Sequence, residues 1–118
     1  MRILDLGDAA FSIEFGDSID PALQARVNAL DVAIDRARAA GQLHGVIETV
    51  PTFRSLTVIY DPLQTRRVTL EAALGGLIDA AGHAPVSDAR HWRLPACYGD
   101  AFGPDLADVA AATDLTPE

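Results

Sequence analysis

The chain contains no lysine: its nine basic residues are all arginines, set against seventeen acidic ones for a formal net charge of −8. Without lysine there is no P-loop, and no GxGxxG run stands in for one, so nothing in the sequence cradles a nucleotide in a familiar way. A basic run is also missing. Arg66-Arg67 is the one basic doublet, assigned to a solvated loop, and phosphate recognition needs clustered cations. Nucleic acid and anionic membrane surfaces are therefore poor partners. One cysteine, Cys97, excludes an internal disulfide and fits a reducing compartment. The N-terminus, Met1-Arg2-Ile3-Leu4-Asp5, meets a carboxylate before any long apolar run, so it is neither a secretory signal nor a membrane span. The cytoplasm is the expected location.

What is present is enough for one compact core: 118 residues, 49% of them apolar. Residues 3–6 form a short apolar strand, and Gly7-Asp8 turns the chain. Phe11, Ile13 and Phe15 alternate with Ser12 and Glu14 as in a half-buried strand. Asp20-Pro21 is a helix start, cap and then first position, and Leu23, Val27, Leu30, Ile34 and Ala37 follow at helical spacing up to Gly41. Arg26, Asp31, Asp35 and Arg38 are assigned to the solvated face of that helix. Strands are expected over 46–50 and 55–60. A second helix, capped by Thr69 and ended by Gly82, carries Leu70, Leu74, Leu77, Ile78 and Ala81. Gly75-Gly76 inside it costs roughly 1 kcal/mol per residue and is expected to permit close packing on the sheet. Residues 91–94 are the last strand.

From Ala10 the order is strand, helix, strand, strand, helix, strand. That is an α+β, ferredoxin-like split βαβ sandwich with an extra N-terminal strand and two helices on one face of an antiparallel sheet. Residues 1–93 form this domain, and 94–118 a junction and an incomplete second domain. There Pro104-Asp105 opens a helix bearing Leu106, Val109 and Ala110, and Thr116-Pro117 signals a further helix start at the end of the sequence. The expectation is a chain whose second domain is cut short, leaving the Leu106 stripe mobile or covered by a neighbouring chain.

Candidate chemistry is sparse. Cys97 with His91 as base is weakened by Pro95 between them, and a small buried cysteine is the better reading. His44, His83 and His91 lack ligand spacing, and Asp100, Asp105 and Asp108 lack that of a calcium loop, so no metal site is expected. The distinctive piece is Val50-Pro51-Thr52-Phe53-Arg54-Ser55-Leu56. Arg54 either grips a carboxylate of a substrate or partner, or pairs with a neighbouring Asp.

Taken in order, Gly7-Asp8, Phe15-Gly16, 50–56, Tyr60-Asp61-Pro62, Leu94-Pro95-Ala96-Cys97-Tyr98-Gly99 and Gly103-Pro104-Asp105-Leu106 resemble the KipI family, also called the 5-oxoprolinase B-subunit or allophanate hydrolase subunit 1 family. The resemblance covers nearly the whole chain. It implies a small α/β domain followed by the truncated start of a cyclophilin-like β-barrel. It implies a partner, similar to the 5-oxoprolinase C-subunit or allophanate hydrolase subunit 2, and a third 5-oxoprolinase component. The assembly would use ATP to turn 5-oxoproline into glutamate, with no cofactor held in this chain. One branch of the family instead inhibits a sensor histidine kinase. Amidase-type allophanate hydrolases need a catalytic lysine, which this chain lacks. The residues placed nearest to function are Arg54 and Ser55, with Tyr98 and Asp105 at the domain junction. Catalytic residues are not assigned, and the isolated chain is expected to be inactive. A stand-alone domain sensing an amino-acid-like ligand is a third reading.

Overall fold

The computed structural model describes residues 1–82 and 92–116. The chain divides into two units, Met1–Asp88 and Ala89–Glu118.

The first unit holds strands β1 (Arg2–Asp5), β2 (Ala10–Glu14), β3 (Val46–Pro51) and β4 (Ser55–Tyr60) and helices α1 (Pro21–Ala39) and α2 (Arg67–Ala81). The sheet is four-stranded and antiparallel, in the order β1-β2-β4-β3. Phe11 pairs with Val58, and Ile13 with both Leu56 and Ile3, so these side chains share one face. Against that face pack Val27, Leu30, Ile34 and Ala37 from α1 and Leu70, Leu74, Ile78 and Ala81 from α2, in one hydrophobic cluster. Burying each large aliphatic side chain contributes about 1.5–3 kcal/mol, so the helical stripes and the sheet face they cover stabilise the unit together.

The ends of α1 follow from local chemistry. The Asp20 carboxylate accepts from the Ala22 amide at 2.8 Å, with Pro21 at the first helical position. At the other end Gly41 adopts φ +71°, which lets the Gln42 amide reach the Ala37 carbonyl and the Gly41 amide reach that of Arg38, both at 2.9 Å.

Several expectations are corrected. The strand expected over 91–94 is absent from Trp92–Leu94, and His91 lies outside the described residues. β1 takes the edge beside β2 that the split βαβ pattern gives to its last strand. Thr69 does not cap α2. The helix begins at Arg67, and Arg66 precedes it without a side-chain cap bond. A Cβ on Gly75 or Gly76 would meet nothing within 4 Å, so neither glycine serves a close approach to the sheet. Asp31 is half-buried rather than solvated and accepts from the Thr49 hydroxyl at 2.5 Å. Arg26 is also half-buried, its guanidinium 4.7 Å from the centre of the Phe15 ring. Arg67, expected in a solvated loop, lies in the first turn of α2, pairs with Asp5 and Glu71, and stacks 5.4 Å from the Phe11 ring centre.

The second unit has a 3₁₀ turn (Asp100–Phe102) and α3 (Leu106–Thr113). Asp105 precedes α3 and Asp114, at φ 56°, closes it. A side chain at Gly103 would collide with the Tyr98 carbonyl, so this loop requires glycine. No residue of α3 is buried; Leu106 and Ala110 are half-buried and Val109 is exposed. The second helix start read at Thr116-Pro117 runs into residues 117–118, outside the described range. No helix among the described residues is long and apolar enough to cross a membrane.

Candidate functional site

Residues 51–55 connect β3 to β4, and Thr52 organises them. Its amide donates to the Ser55 carbonyl at 2.8 Å. Its hydroxyl oxygen accepts from the Ser55 amide at 3.1 Å and lies 2.9 Å from the Ser55 hydroxyl. Threonine thus substitutes for part of a backbone turn. Ser55, expected as a functional hydroxyl, is engaged inside this turn.

The turn projects Phe53 and Arg54. Phe53 is 59% exposed. Arg54 does not pair with a neighbouring Asp carboxylate: its guanidinium donates to the backbone carbonyl of Asp17 at 2.6 Å. The Arg54 carbonyl accepts from the Phe15 amide at 2.9 Å, so the hairpin is tied to the end of β2 through backbone as well. Phe53, Thr52 and Pro51 line a groove of about 370 Å³ together with Gln24 and Asn28 of α1. A second depression, of about 340 Å³, is lined by Met1, Arg2, Glu14, Gly16 and Asp17. The Arg2–Glu14 ion pair, 2.6 Å, spans β1 and β2 at its edge.

The structure brings Arg54 and Ser55 together in one turn, whereas Tyr98 and Asp105 belong to the second unit. Tyr98 is exposed, and Asp105 precedes α3 with no side-chain cap bond. Cys97 is exposed, which corrects the expectation of a buried cysteine. It sits in an irregular segment, 92–98, that belongs to no helix or strand. His44 is exposed in the loop before β3, and His83 and His91 lie outside the described residues. Among the described residues no three metal-ligating side chains converge.

Sequence reasoning missed Thr52, Gln24, Asn28 and the Asp17 carbonyl. The Thr-x-x-Ser spacing could have flagged the turn. A backbone carbonyl held by an arginine 37 residues away leaves no pattern to read.

The quoted motif pieces meet in pairs. The Tyr60 hydroxyl donates to the Asp8 carbonyl at 3.0 Å, Phe15 bonds Arg54, and Tyr98 abuts Gly103. The architecture is α+β, a four-stranded antiparallel sheet with two helices packed on one face. Residues 1–118 match the family described as carboxyltransferase domain, subdomain C and D. The chain belongs to that family, which includes the KipI and 5-oxoprolinase B-subunit proteins that its motifs resemble. It is 31% identical over 99% of its length to the 5-oxoprolinase B-subunit of Bacillus subtilis, spanning 51% of that protein. A conserved uncharacterized protein of Pyrococcus horikoshii, PH0987, is 32% identical, with a TM-score of 0.59 over 98% of this chain and 51% of its own. The N-terminal domain of the histidine kinase inhibitor KipI from Bacillus subtilis is 25% identical, with a TM-score of 0.56 over 69% of this chain and 86% of its own. The chain thus spans about half the length of the full-length relatives it matches.

Proposed function

We propose that this chain is a binding module of an ATP-dependent 5-oxoprolinase, without catalysis of its own. It would act in the cytoplasm with a carboxyltransferase-like partner, similar to the 5-oxoprolinase C-subunit or allophanate hydrolase subunit 2, and with a third component. The assembly opens the lactam of 5-oxoproline with water to give L-glutamate, and ATP is handled outside this chain. The observation that carries this reading is the 31% identity to a 5-oxoprolinase B-subunit across 99% of the chain. The site geometry agrees with it. Arg54 and Phe53 are presented on a braced turn, as at a contact surface, and the Ser55 hydroxyl is spent on that turn. The test is glutamate release from 5-oxoproline and ATP, first with the purified chain and then with the partner and third component added. Silence from the chain alone is expected, and turnover by it alone overturns the reading.

A second reading is a protein inhibitor that docks on a sensor histidine kinase. It is favoured by the likeness to the KipI N-terminal domain, which this chain covers over 86% of that domain's length. Neighbouring genes separate the two: genes for the partner and third component favour the enzyme, and a kinase operon favours the inhibitor. Loss of kinase autophosphorylation on adding the purified chain would support the inhibitor reading directly.

A further inference from the structure

We propose that the free edge of β1 pairs with the β1 of a second copy of this chain, antiparallel about a two-fold axis at Leu4, so that two four-stranded sheets join into one of eight strands. The inference goes beyond the functional reading and does not depend on it.

The sheet ends in two edges, β1 and β3, and they are built differently. β3 carries the features that keep other strands off. The Arg38 guanidinium donates to the Ile47 carbonyl at 2.7 Å, a register shift falls between Val46 and Glu48, and Pro51 has no amide to offer. α1 also runs beside β3, where the Thr49 hydroxyl donates to Asp31. β1 has none of these guards. It pairs with β2 residue for residue from Arg2 to Asp5, and it contains no proline. Among the described residues no helix backbone lies along it, and Arg67 reaches it from α2 through the Asp5 side chain.

The edge presents free backbone donors and acceptors. The Leu6 amide bonds to the Ala10 carbonyl, so by alternation Leu4 and Arg2 also turn their backbone groups toward β2. Those of Ile3 and Asp5 point the other way and have no partner among the described residues. Another extended backbone is what satisfies such a row.

A second β1 fits it by symmetry. A two-fold axis normal to the sheet keeps each face continuous across the junction, so the residues that oppose each other must come from the same face. With the axis at Leu4, Ile3 of each copy exchanges both backbone bonds with Asp5 of the other, and both lie on the helix-covered face. Leu4 faces Leu4 in the closer, non-hydrogen-bonded pair, and Arg2 faces Leu6. No charge stands opposite a like charge, which matters on a chain of net charge −8. The carboxylates beside this edge are matched within each copy, Asp5 by Arg67 and Glu14 by Arg2. Leu4 and Leu6, 40% and 50% exposed, lose water at the junction. A strand of four residues makes a small interface, so the dimer is weak and reversible.

The experiment is sedimentation velocity of the intact chain over a concentration series reaching millimolar, with amide exchange followed by NMR across the same series. Monomer should pass to dimer, and exchange should slow at least threefold at Ile3 and Asp5 while Thr49 on the guarded edge is unchanged. Leu4→Lys and Leu4→Glu should each abolish the dimer, by setting like charges face to face, and mixing the two variants should restore it. Ile47→Lys, on the exposed surface of the other edge, should leave the dissociation constant within twofold. Leu4 lies outside the core cluster, and circular dichroism checks the fold of its variants. The exchange measurement needs no variant and decides the matter if one fails to fold. A monomer throughout the series, a dimer that both Leu4 variants retain, or slowed exchange at Thr49 instead of Ile3 and Asp5 overturns the proposal. Only this chain takes part, so that failure leaves the functional reading standing.

Discussion

The guanidinium of Arg54 holds the carbonyl oxygen of Asp17 at 2.6 Å, bracing the β3–β4 hairpin against the segment between β2 and α1. A charged donor to a neutral acceptor near the surface contributes about 1 kcal/mol. Arg54→Ala should lower the unfolding free energy by about that amount in urea titrations. An unchanged midpoint would mean that the brace carries no load.

Thr52 holds the same turn from inside. Thr52→Ala removes the acceptor for the Ser55 amide and should cost about 1 kcal/mol, whereas Thr52→Ser keeps most of it. Chemical denaturation of the two variants side by side checks this. Equal losses would assign the effect to the threonine methyl instead.

Arg67 joins β1 to α2 through Asp5 and Glu71 while covering Phe11. Arg67→Ala should cost about 1–2 kcal/mol, with the larger part surviving in high salt because stacking is not screened as ion pairs are. Complete recovery of the difference in molar salt would reduce Arg67 to a pair of surface ion pairs.

Gly75 and Gly76 lie inside α2 with open space around the missing Cβ. Gly75→Ala and Gly76→Ala should each raise stability by about 0.5–1 kcal/mol, by restricting the unfolded chain and improving helix propensity. A drop in melting temperature would reveal a close approach that the structure does not contain.

The parts of the fold legible in the sequence are those fixed within a few residues. Asp20-Pro21 starts α1 and Gly41 ends it through neighbouring groups, and the stripes of α1 and α2 announce their burial by spacing alone. Relationships across the sheet were not legible. Arg67 looked like a loop residue because one of its carboxylates, Asp5, comes from β1. Thr69 looked like a cap because threonine before an apolar stripe usually is one, yet α2 starts two residues earlier. The edge beside β2 went to β1, a choice between two strands that alternation cannot make. Of the site, the unusual Pro-Thr-Phe-Arg turn stood out, but the role of Arg54 depends on a backbone carbonyl distant in sequence.

We propose that this domain binds a carboxyltransferase-like partner, with the braced hairpin at the contact surface. Sedimentation velocity of the chain mixed with the purified carboxyltransferase-like partner from the same genome tests it most directly. The expected result is a heterocomplex whose dissociation constant rises at least tenfold in the Phe53→Ala/Arg54→Gln double variant. Two species sedimenting independently, or a complex indifferent to both substitutions, would contradict it.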